Sequence, residues 1–377
     1  MISSPLFYLF TLAFIATAFA LLESKANLKI FKFIPAVVMI YALSMFLASQ
    51  NLFAHTQEMK DIYINTKTNL LPAMLFLMLL QVDFKHFFKL GRSLLIAYIL
   101  AVLSIAFGFI IVVYLFHFSA DAAGAFGALA GSWMGGTANM IAVGSALNVS
   151  EDAFAYALVV DSVNYTLWVV LLLFLVPFAK HFNTWTKSEE NLAFLESIGC
   201  ACTIGAKRYW LFIALSIFMA FFVNFIAYSG FNILNHTTTI VILATFFGIL
   251  GSFTKLREIN GSGEVATTML YILIALIGSR AVIENFSEIF IYVVAGFCIL
   301  LIHALIMLMG AKVFKLDLFS IAIASLANIG GVASAPILAA TYNKALVSVG
   351  VLMAIMGYLI GTFGGLLVGN ILLKVVG

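Results

Sequence analysis

Long apolar runs, parted by short polar stretches, recur from one end of the chain to the other. They fall at about 4–22, 33–50, 69–82, 93–116, 120–147, 153–178, 209–229, 237–253, 266–282, 286–310, 318–342 and 346–373. A helix of about 20 apolar residues covers the hydrocarbon core of a bilayer, so the pattern predicts an all-α polytopic membrane protein. The runs form two sets of six in matching order, a first repeat over 1–178 and a second over 209–377, joined by a polar linker at 179–208. The opening run, Pro5 to Leu22, ends like a signal peptide. No basic region precedes it, however, and it has a counterpart near Leu211, so it reads as a span.

Two runs carry a glycine pair at corresponding places. Around Gly135-Gly136 the chain reads GALAGSWMGGTANMIAVGSALN, and around Gly330-Gly331 it reads ASLANIGGVASAPILAATYN. A shift of 195 positions superimposes the pairs and brings Ala138 onto Ala333, Asn139 onto Ser334 and Asn148 onto Asn343. Glycine opens a lipid-embedded helix, and opened backbone is tolerated only where it lines a protected cavity. Matched interruptions in two halves point to the binding site of a secondary transporter. Each broken segment predicts a second half-helix with a readable start: Ser334 as N-cap with Pro336 in the first turn, and Thr137 or Asn139 as cap in the other.

Half-helices that start inside the membrane aim unpaired N–H groups and a positive dipole end inward. The preceding half-helix ends, at Trp133-Met134 and Asn328-Ile329, leave carbonyls able to hold a dehydrated cation. The candidate substrate-binding set is therefore Ser132, Gly135, Gly136, Thr137, Asn139, Asn328, Gly330, Gly331 and Ser334. The plainer reading is that glycine pairs merely allow helices to pack closely.

Charge decides the topology. If every run crossed, one face would hold eight Lys and Arg and the other eleven, which is no bias. If the two glycine-interrupted segments enter and leave by one face, fifteen collect on one side and only Lys60, Lys67, Arg280 and Lys374 stay on the other. Lys and Arg accumulate in the cytoplasm, so this arrangement predicts ten spans, two re-entrant segments, inverted halves and both termini outside. Ala120 to Ser132 makes about 18 Å of helix at 1.5 Å per residue, which lets both arms meet near the midplane. A discontinuous crossing helix with a further span elsewhere gives the same parity, but taking 191–205 as that span would put Glu196 in lipid.

Composition narrows the chemistry. With 64% hydrophobic and 9% charged residues, the chain lies far outside the globular range. Its net charge of +3 comes from loop residues and implies no nucleic-acid partner. Cys200, Cys202 and Cys298 offer neither a disulfide framework nor a zinc motif, and no cofactor is expected beyond Na⁺ as a coupling ion. Asp161, in FAYALVVDSVNYTLWVV, lies nine positions after Asp152. That is about 14 Å into the membrane, where carboxylates are costly and functional by default. Asn164 shares its face, so Asp161 and Asn164 are the candidate ion-coupling pair, with Trp133 and Asn328 as further Na⁺ contacts. The plainer reading of Asp161 is a protonated acid bonded to a neighbouring helix. His303 has no acidic neighbour and reads as a satisfied interhelical donor. The glycines of the last run, from Gly350 to Gly369, suggest tight helix contact.

The blocks GSWMGGTANMIAV, DSVNYTLWV and ASLANIGGVASAPILAA resemble an uncharacterised bacterial integral-membrane family typified by YjcL, over nearly the whole chain. That family is grouped with cation:proton antiporters and with bile-acid and glutamate sodium symporters. The resemblance implies a core domain at 93–178 with 286–373, moving like an elevator against a panel at 1–90 with 205–284, and dimers formed through the panels. It also implies a bacterial inner-membrane location. Asp161 with Asn164 matches the carboxylate placement of the antiporters, but their adjacent acidic pair is absent. The polar Ser, Thr and Asn residues near both interruptions suit the symporters better. The expected function is Na⁺- or H⁺-coupled symport of a small organic anion or amino acid. Cation:proton antiport through Asp161 is the alternative, and a non-transporting receptor or structural protein is the alternative of another class. An intramembrane enzyme would need a paired nucleophile and base, which one Asp and one His on distant segments do not supply.

Overall fold

The computed structural model describes residues 2–25, 36–54, 56–188, 206–229, 236–259, 261–281, 286–342 and 346–377. Asn343, Cys200, Cys202 and Glu196 lie outside the described residues. The described chain is helical: α1 (Pro5–Lys25), α2 (Ala36–Ser49), α3 (Gln57–Leu79), α4 (Phe84–Phe88), α5 (Arg92–Phe116), α6 (Ala120–Gly135), α7 (Thr137–Ala146) and α8 (Glu151–Leu175). There follow α9 (Ala179–Thr186), α10 (Ala206–Tyr228), α11 (His236–Ser252), α12 (Ser262–Gly278), α13 (Phe286–Phe314), α14 (Leu318–Ile329), α15 (Gly331–Tyr342) and α16 (Val347–Val376). The β structure among these residues is a single parallel bridge between Ile2 and Phe53. Among the described residues, six stretches are long and apolar enough to cross a membrane: Pro5–Glu23, Arg92–Phe116, Glu151–Thr186, Lys207–Tyr228, Ile289–Phe314 and Val349–Val376. The chain is a multi-pass membrane protein.

Most helices sit where the apolar runs predict them. Three depart from them: α4 and α9 lie outside every run, and α3 starts twelve residues before the run at 69–82, at Gln57. Thr56 caps it by accepting from the Met59 N–H at 3.4 Å, and the polar turns from Gln57 to Asn69 extend the helix without being apolar. Hydropathy marks burial in lipid, not helix boundaries.

The chain divides into two compact units. The first comprises Met1–Gln81, Asn148–Ser162 and Cys202–Ile289. In it α3 packs against α10, α11 and α12, and α1 and α2 pack against α12. Gly248 and Gly251 bring α11 close to α3: an added Cβ on Gly248 would lie 2.6 Å from Leu79 Cβ. Several polar groups pair inside this unit. Tyr63 donates to Glu151 Oε1 at 2.6 Å, Lys67 lies 3.8 Å from the same oxygen, and Tyr271 donates to Glu23 Oε2 at 2.6 Å.

The second unit comprises Val82–Leu147, Val163–Ala201 and Phe290–Gly377, and it holds both glycine pairs. Its tightest contact is α6 against α16. An added Cβ on Gly127 would lie 2.7 Å from Gly369 Cα, one on Gly365 2.6 Å from Gly131 Cα, and one on Gly357 2.9 Å from Gly135 Cα. One set of numbers rises by fours as the other falls, so the helices run antiparallel with their backbones in contact along a glycine stripe. The last run's glycines therefore serve close packing, as their spacing suggests.

Candidate functional site

Both interrupted segments are helical hairpins. In the first, an added Cβ on Gly127 would lie 2.9 Å from Leu147 Cδ1 and one on Gly131 2.9 Å from Val143 Cγ2. A helix running straight from Gly127 to Leu147 would part them by about 30 Å, so α7 folds back along α6. In the second, the rings of Phe319 and Tyr342 lie 5.2 Å apart between centroids. They would be about 35 Å apart on a straight helix, so α15 folds back along α14. At the base of this hairpin Asp317 caps α14, accepting from Ser320 N at 2.8 Å, while Asn183 of α9 accepts from Leu318 N at 2.9 Å.

Within each pair the glycines divide the work in the same order. Gly135 and Gly330 supply space: an added Cβ would overlap Gly357 O and Asn139 Nδ2 in one case, and Ser334 Oγ and Tyr165 in the other. Gly136 and Gly331 supply the reversal, with φ of +90° and +61°, values that side-chain-bearing residues adopt at a cost. The hairpin tips meet. An added Cβ on Gly331 would lie 4.0 Å from Gly136 Cα. Four helix ends thus converge in the second unit: the starts of α7 and α15 and the ends of α6 and α14.

The caps differ from expectation. Gly136, not Thr137 or Asn139, is the N-cap of α7, and no side chain caps it. Its carbonyl accepts from Asn139 N at 2.9 Å, which leaves the first N–H groups of α7 outside the helical ladder. The Asn139 side chain turns back instead. Its Nδ2 donates to Gly135 O at 2.8 Å and to Gly357 O at 3.3 Å, and its Oδ1 accepts from Thr362 Oγ1 at 2.6 Å. Likewise α15 starts at Gly331, so Ser334 falls in its first turn and Pro336 inside the helix. The positive φ of Gly331 makes the turn without a side-chain cap. Pro336 carries no N–H, so the Val332 carbonyl lacks its helical donor.

The remaining candidates are placed as follows. Ser132 and Trp133 are buried on α6, where the Ser132 carbonyl accepts from Gly136 N at 2.6 Å and the Trp133 ring lies edge-on to Phe109. Thr137 is half-buried at the first tip. Asn328 is fully buried at the end of α14 and donates from Nδ2 to Ala324 O at 2.8 Å. Ser334 is buried beside Gly330. Asn164 is buried in the second unit and donates to Val293 O at 3.2 Å. Asp161 is half-buried and belongs to the first unit. The structure therefore brings the two glycine pairs together with Asn139 and Ser334 against them, and the boundary between the units falls between Asp161 and Asn164.

Two residues escaped sequence reasoning. Tyr165 stands against Gly330 and Tyr358 beside Gly136, with 2.7 Å and 4.0 Å from the added Cβ atoms. Each tip is therefore walled by a tyrosine. The signal was available in NYT and MGY, but nothing local ties either ring to a tip.

His303 is a tie between helices. Ser104 Oγ donates to Ala101 O at 2.9 Å, so its 2.6 Å contact with His303 Nδ1 requires the ring to donate there. Bare Nε2 then accepts from Ser325 Oγ at 2.8 Å, and Ser325 accepts from Trp168 Nε1 at 2.8 Å. Every polar hydrogen is placed, and the imidazole is neutral. Ser325→Ala should destabilise the protein by about 1–3 kcal/mol, because it strands two buried partners. Chemical unfolding in detergent measures that loss.

The profile of the family described as "Protein of unknown function (DUF819)" matches residues 10–375. The chain is also similar to "Uncharacterized membrane protein YjcL" of Bacillus subtilis (strain 168), at 24% identity over 339 residues covering 82% of this chain and 83% of that protein. The family match runs through both hairpins, the glycine stripe and the helices that carry Asp161 and His303: the chain belongs to the DUF819 family.

Proposed function

We propose that the protein is a secondary active transporter, a Na⁺- or H⁺-coupled symporter for a small organic anion or amino acid. One observation carries this reading: two helical hairpins in one compact unit meet tip to tip at paired glycines. Such an arrangement brings unpaired N–H groups and carbonyls together where helix ends of both signs converge. Broken backbone inside a membrane protein is tolerated only where it is buried in protein or lines a cavity, and matched breaks in two halves favour the cavity.

On this reading both hairpins are re-entrant, the halves are inverted and ten further segments span the membrane. The second unit, which holds both tips, is the cargo-carrying body of an elevator. Gly136, Thr137, Gly331 and Ser334 offer the solute N–H and hydroxyl groups, Ser132 and Asn139 hold the first tip in shape, and Tyr165 and Tyr358 wall the cavity. Asp161 and Asn164 serve coupling. A homodimer in a bacterial inner membrane, with both termini outside, completes the proposal.

Uptake into proteoliposomes tests it, after a thermal-shift screen of carboxylates, amino acids and Na⁺ against the purified protein has identified a ligand. Solute accumulation driven by a Na⁺ or H⁺ gradient is the expected result. Na⁺ movement with no organic solute would favour antiport, and no movement of either would favour a receptor. Asp161→Asn should fold normally and lose coupled uptake. Coupling at the wild-type level in that variant would remove Asp161 from the mechanism.

A further inference from the structure

The hairpins share a backbone plan and differ in polar chemistry. Asn139, three residues past the first reversal, has its amide nitrogen and oxygen both engaged. Ser334, at the equivalent place in the second hairpin, is 3% exposed, and its Oγ has no partner. Asn328, two residues before the second glycine pair, is 0% exposed, and its Oδ1 also has no partner. The Asn328 amide is fixed in direction. Nδ2 faces the Ala324 carbonyl, and a flipped amide would set oxygen against oxygen. A buried acceptor without a donor is costly to keep. Here two such oxygens flank one tip in the chain, one on each side of the glycine pair.

A positive group at the tip would satisfy both oxygens. We propose that the tip of the second hairpin is a site for a monovalent cation, a Na⁺-like ion or the ammonium group of the solute itself, held by Asn328 Oδ1 with Ser334 Oγ. The proposal rests on the reading of the tips as a binding site and adds the chemistry of one half of it. Charge limits the ligand. Neither α14 nor α15 contains Asp or Glu, so the hairpin offers neutral oxygens and the partial negative charge at the end of α14, opposed by the partial positive charge at the start of α15. A divalent ion held by neutral groups in this environment would be left uncompensated, and divalent ions favour carboxylate-rich cages. The first hairpin, with Asn139 saturated, positions the tip and does not bind the cation.

Thermal unfolding of the purified full-length protein in detergent tests this without any transport assay. Wild type is melted in choline chloride, then with choline replaced by Li⁺, Na⁺ or K⁺ at equal ionic strength. Separately it is melted with each standard amino acid in choline chloride. At least one of these probes is expected to raise the midpoint by several degrees. A response to a metal ion alone identifies an ion site, and a response to amino acids in choline identifies an ammonium site. Asn328→Leu should abolish the response while melting no lower than wild type without ligand, since it removes an unsatisfied acceptor. Ser334→Ala should keep the response and need at least tenfold more ligand. Ser44→Ala, which removes an unpartnered buried hydroxyl in the first unit, should change neither.

A wild-type midpoint indifferent to every probe overturns the proposal. So does an undiminished response in Asn328→Leu, or a ligand-free Asn328→Leu that melts lower, which would make the side chain structural. If Asn328→Leu does not purify, Ser334→Ala decides alone: an unchanged ligand requirement overturns the proposal. Binding without transport would keep this inference and defeat the transporter reading, and coupled transport by a protein indifferent to all of these cations would do the reverse.

Discussion

Gly136→Val and Gly331→Val should each abolish uptake while leaving a protein that purifies intact. Space is not the obstacle. An added Cβ on Gly136 would meet nothing nearer than Tyr358 at 4.0 Å, and one on Gly331 nothing nearer than Gly136 Cα at 4.0 Å. The obstacle is conformation, because φ of +90° with ψ of 169° at Gly136 suits glycine, and φ of +61° at Gly331 is one that a β-branched residue adopts only at a cost. A β-branched residue at either place costs about 1–3 kcal/mol, and the tip will relieve that strain by rearranging. Rearrangement parts the two tips and moves the N–H groups that begin α7 and α15. Ligand-induced stabilisation and uptake should therefore vanish together. Normal uptake in either variant would contradict the assignment of the site.

Gly135→Ala should fail for the opposite reason. Its backbone is ordinary, but the added methyl would overlap the Gly357 carbonyl and the Asn139 amide. Helix α16 would have to leave α6, breaking the glycine stripe and the bonds Asn139 makes to Gly357 and Thr362. Overpacking and stranded buried groups together should destabilise the protein by about 3 kcal/mol, visible as a lower melting point and poor yield. The pair thus separates a folding defect at residue 135 from a functional defect at residue 136. Equal effects at both positions would show that the two glycines do not divide the work in this way.

Much of this fold was legible because the bilayer imposes strong local rules. Apolar runs located most helices, glycine pairs located both interruptions, and arm length with the Lys and Arg count favoured reversal over crossing. Long-range chemistry was not legible. Shifting one half onto the other equates Asn139 with Ser334 and suggests one role for both. The structure gives them different roles, because Thr362 and Gly357 on a helix more than 200 residues away saturate the asparagine and leave the serine bare. The caps were misread for a local reason: a glycine with positive φ turns the chain without a side chain, so Thr137, Asn139 and Ser334 are not needed as caps. Asp161 and Asn164 lie three residues apart on α8, and the boundary between the two compact units falls between them, which no local pattern marks.

The reversal of the chain at its glycine pairs is the claim on which the rest depends, and cysteine sidedness tests it directly. Single cysteines would replace His117 and Asn148, the residues flanking the first hairpin, in a chain freed of its three native cysteines. A membrane-impermeant maleimide would then be applied to intact cells and to inverted vesicles. The hairpin predicts that both cysteines react from the same face of the membrane. Reaction from opposite faces would mean that the segment crosses, and the site built here from two meeting tips would be contradicted.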